Sequence, residues 1–113
     1  MRKLAAYEAQ GAWVVPVPTP LLADAEDPLL AAVQAGLSGN PRAIVLDMSR
    51  VQLADTAGLG TLVSVLHLAQ ERGVPVVFAG ATGRPRILLQ RIQLDRHAAI
   101  HDSLQSALDG FSA

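Results

Sequence analysis

Residues 55–60 read Asp-Thr-Ala-Gly-Leu-Gly, a carboxylate and a hydroxyl side by side before a glycine-rich turn. The run ahead of them, Ala43-Ile-Val-Leu-Asp-Met-Ser49 followed by Val51-Gln-Leu-Ala54, is strand-like. After them Leu59, Leu62, Val63, Leu66 and Ala69 recur at the i, i+3, i+4, i+7 spacing of one helical face. The hexapeptide therefore joins a strand to an amphipathic helix. Either Asp55 or Thr56 can act as the N-cap, and Gly58 and Gly60 let the backbone turn tightly. A hydroxyl at this position faces free backbone N–H groups and the positive end of the helix, where a phosphate is well received. The chemistry these residue types suggest is acceptance of a phosphoryl group.

Other reactive patterns have less support. Gly58-Leu-Gly60 lacks the later glycine of a dinucleotide motif and the following lysine of a phosphate-binding loop. The loop Ala79-Gly-Ala-Thr-Gly-Arg84 also lacks the full spacing. His67 lies far in sequence from His97 and His101, and the residues between the latter two read as strand or turn, so no zinc-ligand set forms. There is no Gly-x-Ser-x-Gly elbow and no Ser/His/Asp set. With no cysteine there is no disulfide framework, thiolate metal site or thiol nucleophile. The sequence predicts a protein that is not itself an enzyme and needs no cofactor.

Half of the 113 residues are apolar and 17% are charged, a balance that favours one packed core over disorder. With few aromatics, that core must be built from Leu, Val, Ile and Ala. The net charge of −1 comes without a basic patch, which argues against nucleic acid as the main partner. The apolar stretch before Glu8 is too short for a signal peptide, and no window approaches the roughly 18 apolar residues of a membrane span. The expectation is a cytoplasmic protein without direct membrane insertion.

The elements that would position the hexapeptide follow from periodicity and turn residues. Lys3–Tyr7 reads as an edge strand turned at Glu8–Gly11, and Ala12–Val17 as a second strand in which Pro16 marks an edge or bulge. Asp27 caps and Pro28 opens a first helix with Leu29, Leu30, Val33 and Leu37 inward. Ala43–Met48 is a strand covered on both faces. The second helix runs from Ala57 to Arg72 and ends at Gly73. Val74–Ala79 is a further strand, Arg84–Ile92 a short helix, and Leu94–Ile100 contains a last short strand. Asp102-Ser-Leu-Gln105 opens a final helix reaching Phe111. In the second helix the stripe Leu59, Leu62, Val63, Leu66 is read as inward, which turns Val65 and Leu68 outward beside Thr61 and Ser64.

The sequence of segments from Ile44-Val-Leu-Asp-Met-Ser through Asp55-Thr-Ala-Gly-Leu-Gly to Gly73-Val-Pro-Val-Val-Phe-Ala-Gly80 resembles the STAS domain of bacterial anti-sigma-factor antagonists. The resemblance spans roughly residues 10–111. It implies an α/β fold: one domain over the whole chain, with a mostly parallel sheet of roughly four to five strands, an antiparallel edge strand and about four helices. In that family the Ser or Thr directly after the Asp is phosphorylated by a partner kinase, which places the acceptor at Thr56 with Asp55, Gly58 and Gly60 in support. Ala57 stands where many relatives carry a second hydroxyl, leaving Thr56 as the single candidate. Relatives often carry Gly-Glu-Leu-Asp after the second strand, and its acidic residue contacts the kinase. Here the aligned stretch is Thr19-Pro20-Leu21-Leu22, with Asp24 two positions later. The implied partners are an anti-sigma factor or switch kinase and a phosphatase for the modified form, and a homodimer is compatible with this reading. The expected contact surface comprises Thr61, Val65, Leu68, Asp24 and Arg84 around Thr56. Two other classes remain open: a scaffold subunit of a stress-sensing assembly or a cytoplasmic subunit of a lipid transporter, and a small doubly wound nucleotide binder.

Overall fold

Alternating burial organises the sheet. In this computed structural model, which describes residues 3–111, five strands lie in the order β1 (Tyr7–Ala9), β2 (Ala12–Pro16), β3 (Ile44–Asp47), β4 (Val76–Ala79) and β5 (Ala99–His101). β1 is antiparallel to β2, and β2 to β5 are parallel. The register sets Val15, Leu46, Phe78 and Ile100 in one row and Val14, Val45, Val77 and Ala99 in the next. Because side chains alternate between faces, the first row packs under the larger core with Leu29, Val33, Leu62, Val65, Leu66 and Leu89. The second row meets Ala107, flanked by Leu104, Leu108 and Phe111.

Four α-helices supply those covers. α1 (Glu26–Leu37), α2 (Thr56–Glu71) and α3 (Arg84–Arg91) cross over between neighbouring parallel strands and share one face, while α4 (Leu104–Asp109) covers the other. Right-handed crossovers between strands laid down in simple order put successive helices on the same side. Trp13 locks α1 to the sheet: its indole N–H donates to the Ala32 carbonyl at 2.8 Å, and a Cβ on Gly36 would fall 2.1 Å from its ring. Gly36 is therefore needed for close approach.

Several boundaries differ from the sequence-based expectation. β1 starts at Tyr7, because the turn is the tight pair Gln10-Gly11, with φ of 54° and 84°. Such a two-residue hairpin fixes the register at Tyr7 opposite Val14. Pro16 is tolerated because β1 pairs only as far as Val14, so its missing donor faces no partner strand. Asp27 is not the cap of α1. A 3₁₀ turn at Ala23–Ala25 leads directly into Glu26, placing Pro28 third in the helix, where an N–H would have no partner anyway. In α4 the cap is Ser103, whose Oγ accepts from Ser106 N–H at 3.0 Å.

The largest correction concerns the phase of α2. Its buried residues are Gly58, Thr61, Leu62, Val65, Leu66 and Ala69. Val65 is fully buried and Thr61 is 2% exposed, whereas Val63 is 36% exposed. The expected outward strip of Thr61 and Val65 is thus core, and Leu68 is half-buried. α2 packs against α1 as well as the sheet, so it buries a broad arc whose centre is rotated by roughly 80° from the stripe through Leu59 and Val63. Thr61 is accommodated because its hydroxyl donates to the Ala57 carbonyl at 3.3 Å.

Candidate functional site

The chain leaves β3 at Asp47 and reaches α2 through residues 48–55. Asp47 starts the departure: its carboxylate accepts from Ser49 N–H at 3.0 Å, an Asx-type turn. The end of this loop is fastened to the segment after β2. Leu21 N–H donates to the Leu53 carbonyl at 2.8 Å, and Asp55 N–H donates back to the Leu21 carbonyl at 3.2 Å. These two bonds place the last loop residue by backbone contacts alone.

Asp55 is the N-cap of α2. Its backbone is extended, and its carboxylate accepts from Gly58 N–H at 2.7 Å. Of the two cap candidates the structure selects the carboxylate, which leaves Thr56 as the first helical residue. Thr56 is exposed, and its hydroxyl has no hydrogen-bond partner among the described residues. It stands at the positive end of a 16-residue helix.

The two glycines differ in kind. A Cβ on Gly58 would lie 1.9 Å from the Leu21 carbonyl oxygen, so the helix start sits directly on the backbone of residue 21. No heavy atom lies within 4 Å of a Cβ built on Gly60, which is exposed one turn above Thr56. Gly58 is therefore required by packing, and Gly60 leaves bare backbone at the surface.

Of the residues expected around the site, Asp24 and Arg84 are both exposed. Asp24 lies in the 3₁₀ turn that contacts α2, and Arg84 opens α3. Thr61 and Val65 are buried below the site and present no surface, as described above. Leu68 borders a shallow groove between α1 and α2 with Leu30, Gln34 and His67, more than three helical turns from Thr56. Sequence reasoning missed Leu53 and Ile87, which are 58% and 51% exposed. Ile87 could have been found from the spacing Arg84, Ile87, Leu88, Arg91, one face of a short helix. Leu53 carried no periodic signature because it lies in a loop.

His67 and His97 are exposed on separate elements, and His101 Nδ1 lies 3.0 Å from Ser106 Oγ. Among the described residues no group of three or more His, Cys, Asp or Glu is placed to hold a metal ion. No helix among them is long and apolar enough to cross a membrane.

The fold is shared with known structures. An anti-sigma-factor antagonist (STAS) domain protein from Planctomyces limnophilus superposes with a TM-score of 0.83 at 15% identity, covering 99% of this chain and 100% of the other. An RsbS variant from Moorella thermoacetica gives 0.80 at 23% identity over 97% and 95%. A chain from a structure described as the molecular architecture of the stressosome, a signal integration and transduction hub, gives 0.71 at 25% identity over 94% of each chain. No curated protein sequence matches the chain. The STAS domain family model matches residues 3–107, nearly the whole sequence. With the strand order, the crossover pattern and the Asp-Thr turn at the start of α2, this match shows that the chain belongs to the STAS domain family.

Proposed function

We propose that this chain is an anti-sigma-factor antagonist of the partner-switching kind, controlled at Thr56. Unmodified, it binds an anti-sigma factor that is also a serine/threonine kinase; once phosphorylated, it is released until a phosphatase restores it. The observation that carries this reading is the environment of Thr56: an exposed, unbonded hydroxyl at the first residue of α2, beside a cap formed by a different side chain. A phosphoryl group can be added without removing any bond that holds the helix.

The kinase supplies ATP and its metal. The Thr56 oxygen attacks the γ-phosphorus, the bond to the leaving ADP breaks, and the hydroxyl proton passes to a carboxylate base of the kinase. Asp55 fixes the backbone so that Thr56 projects outward. Afterwards the phosphate brings about −1.5 to −2 charges to a helix end that favours anions. Stability is kept, while a partner lying over Thr56 meets a bulky, strongly hydrated group. A penalty of about 3 kcal/mol weakens binding more than a hundredfold.

The test is mass spectrometry after incubation with the cognate kinase and ATP. Phosphate on Thr56 supports the reading; phosphate only on Thr19, Thr82 or a serine sinks it. A scaffold subunit of a stress-sensing assembly is the second reading, favoured by the stressosome chain at 25% identity. Co-purification in a large symmetric assembly, in place of a kinase pair, would select it.

A further inference from the structure

A groove of 520 Å³ runs between the β3–α2 loop and α3, immediately ahead of the Asp55–Thr56 turn in the chain. Leu53 and Ala54 form one wall, and Ile87 and Leu88 form the other. Arg84 and Arg91 stand at the first and last residues of α3, about 10 Å apart along the helix. The groove, which Gln52 and Gly83 also line, thus sets apolar side chains between two cations.

The exposed apolar walls and the cation at Arg84 are locally unfavourable. Leu53 and Ile87 are among the most exposed large apolar side chains described, and they face one trough rather than being scattered. α3 has no acidic residue in its first turn, and Arg84 sits at the end of the helix where its dipole repels a cation. Arg86 on the same helix is compensated by Asp102 at 2.7 Å. Among the described residues neither Arg84 nor Arg91 has an ion pair. Arg84 at the disfavoured helix end and Arg91 without an ion-pair partner, flanking exposed leucine and isoleucine, match a ligand that brings carboxylates and an apolar stripe together.

We infer that this groove docks an acidic amphipathic helix of the partner protein, with apolar side chains at i and i+3 or i+4 seated between Leu53 and Ile87. Carboxylates about two turns apart meet Arg84 and Arg91. Helix-in-groove binding of this kind draws affinity from the apolar anchors and orientation from the charges at the rim. The inference rests on the partner-switching reading for the identity of the partner, and it adds where that partner grips. With the helix held beside Leu53, the rest of the partner is brought over Thr56, two residues past Ala54.

The probe is a synthetic helical peptide of about 15 residues. It carries Leu at i and i+4 and Glu at positions spaced by seven. Its control has Lys in place of each Glu. Amide resonances of the full chain are followed by NMR during titration. The Glu peptide should bind with a Kd below about 1 mM, shifting Leu53, Ala54, Ile87 and Leu88. Arg84→Glu with Arg91→Glu should weaken it about tenfold or more, and so should Leu53→Ser with Ile87→Ser. All four side chains are at the surface, so thermal unfolding of these variants should match the parent. Equal binding of the Lys peptide, shifts centred instead on the separate pocket that Trp13, Ala31 and Ala35 line beside α1, or no shift at about 1 mM peptide overturns the inference. The titration does not involve Thr56. Its failure therefore leaves the phosphorylation reading standing, and an unphosphorylated Thr56 leaves the peptide result standing.

Discussion

At the scale of single residues, the turn at 55–60 separates into parts that hold the helix and parts that face outward. Asp55 holds it: the 2.7 Å bond to Gly58 N–H is the side-chain cap of α2. Asp55→Ala should cost about 1 kcal/mol, which a denaturant melt would resolve. Thr56 bears none of that load, so Thr56→Ala should leave the melt unchanged within about 0.5 kcal/mol and, under the partner-switching proposal, should abolish phosphorylation by the proposed kinase. The glycines give the sharpest contrast. Gly58→Ala forces a methyl group into the Leu21 carbonyl and should destabilise by about 3 kcal/mol or more. Gly60→Ala meets nothing and should stabilise by about 0.5–1 kcal/mol, since glycine is a poor residue inside a helix. A loss of stability in Gly60→Ala would show that the backbone there has a packing role. The hexapeptide made the strand-to-helix turn readable from sequence, but it could not say which glycine was structural. That depends on Leu21, more than 30 residues away, and on hydrogen bonds between loops.

At the scale of elements, existence and type were legible, while phase and edges were not. β2, β3 and β4 announced themselves as short apolar runs, and Asn-Pro and Gly73 marked the ends of α1 and α2. By contrast, β1 overlaps its expected span only at Tyr7, and α3 ends at Arg91 without either signal. Gly73 closes α2 with φ of 69°, and Val74 N–H returns to the Ala69 carbonyl, as its position after the apolar stripe implied. The phase of α2 failed because Leu59, Leu62, Val63, Val65, Leu66 and Leu68 surround most of the helix. When apolar residues occupy nearly every direction, periodicity cannot choose the buried arc. The neighbours choose it, here the sheet below and α1 beside. Val65→Ser should accordingly lower stability by about 2–3 kcal/mol, or about 4 °C in Tm per kcal/mol, through a lost core contact and a buried hydroxyl. Val63→Ser, at an exposed position of the same helix, should change it by less than about 0.5 kcal/mol. Equal effects of the two would mean that the helix is rotated from the position described.

At the scale of the molecule, the parallel order of β2 to β5 gathers the loops after β2, β3 and β4 at one edge of the sheet. The alternation of strands and helices implied that edge, because the loops at the carboxyl ends of parallel strands lie together. What alternation could not show was the distribution of charge along it. Asp24, Glu26 and Asp27 lie on the side of the β2–α1 connection, and Arg84 and Arg91 on the side of α3, with Thr56 opening the helix between them. The sheet is close-packed on both faces, and no strand depends on the Thr56 side chain. Phosphorylation should therefore act by changing the surface and leave the fold in place. In amide spectra of the phosphorylated chain, shifts should cluster at residues 53–60 and in the adjoining loops, while β1, β5 and α4 keep their resonances. The midpoint of thermal unfolding should move by no more than about 4 °C, the equivalent of roughly 1 kcal/mol. Partner affinity should nevertheless fall more than about a hundredfold, and Thr56→Glu should reproduce part of that loss. Widespread shifts reaching β5 and α4, or a large drop in the midpoint, would mean that the phosphate works by reshaping the domain.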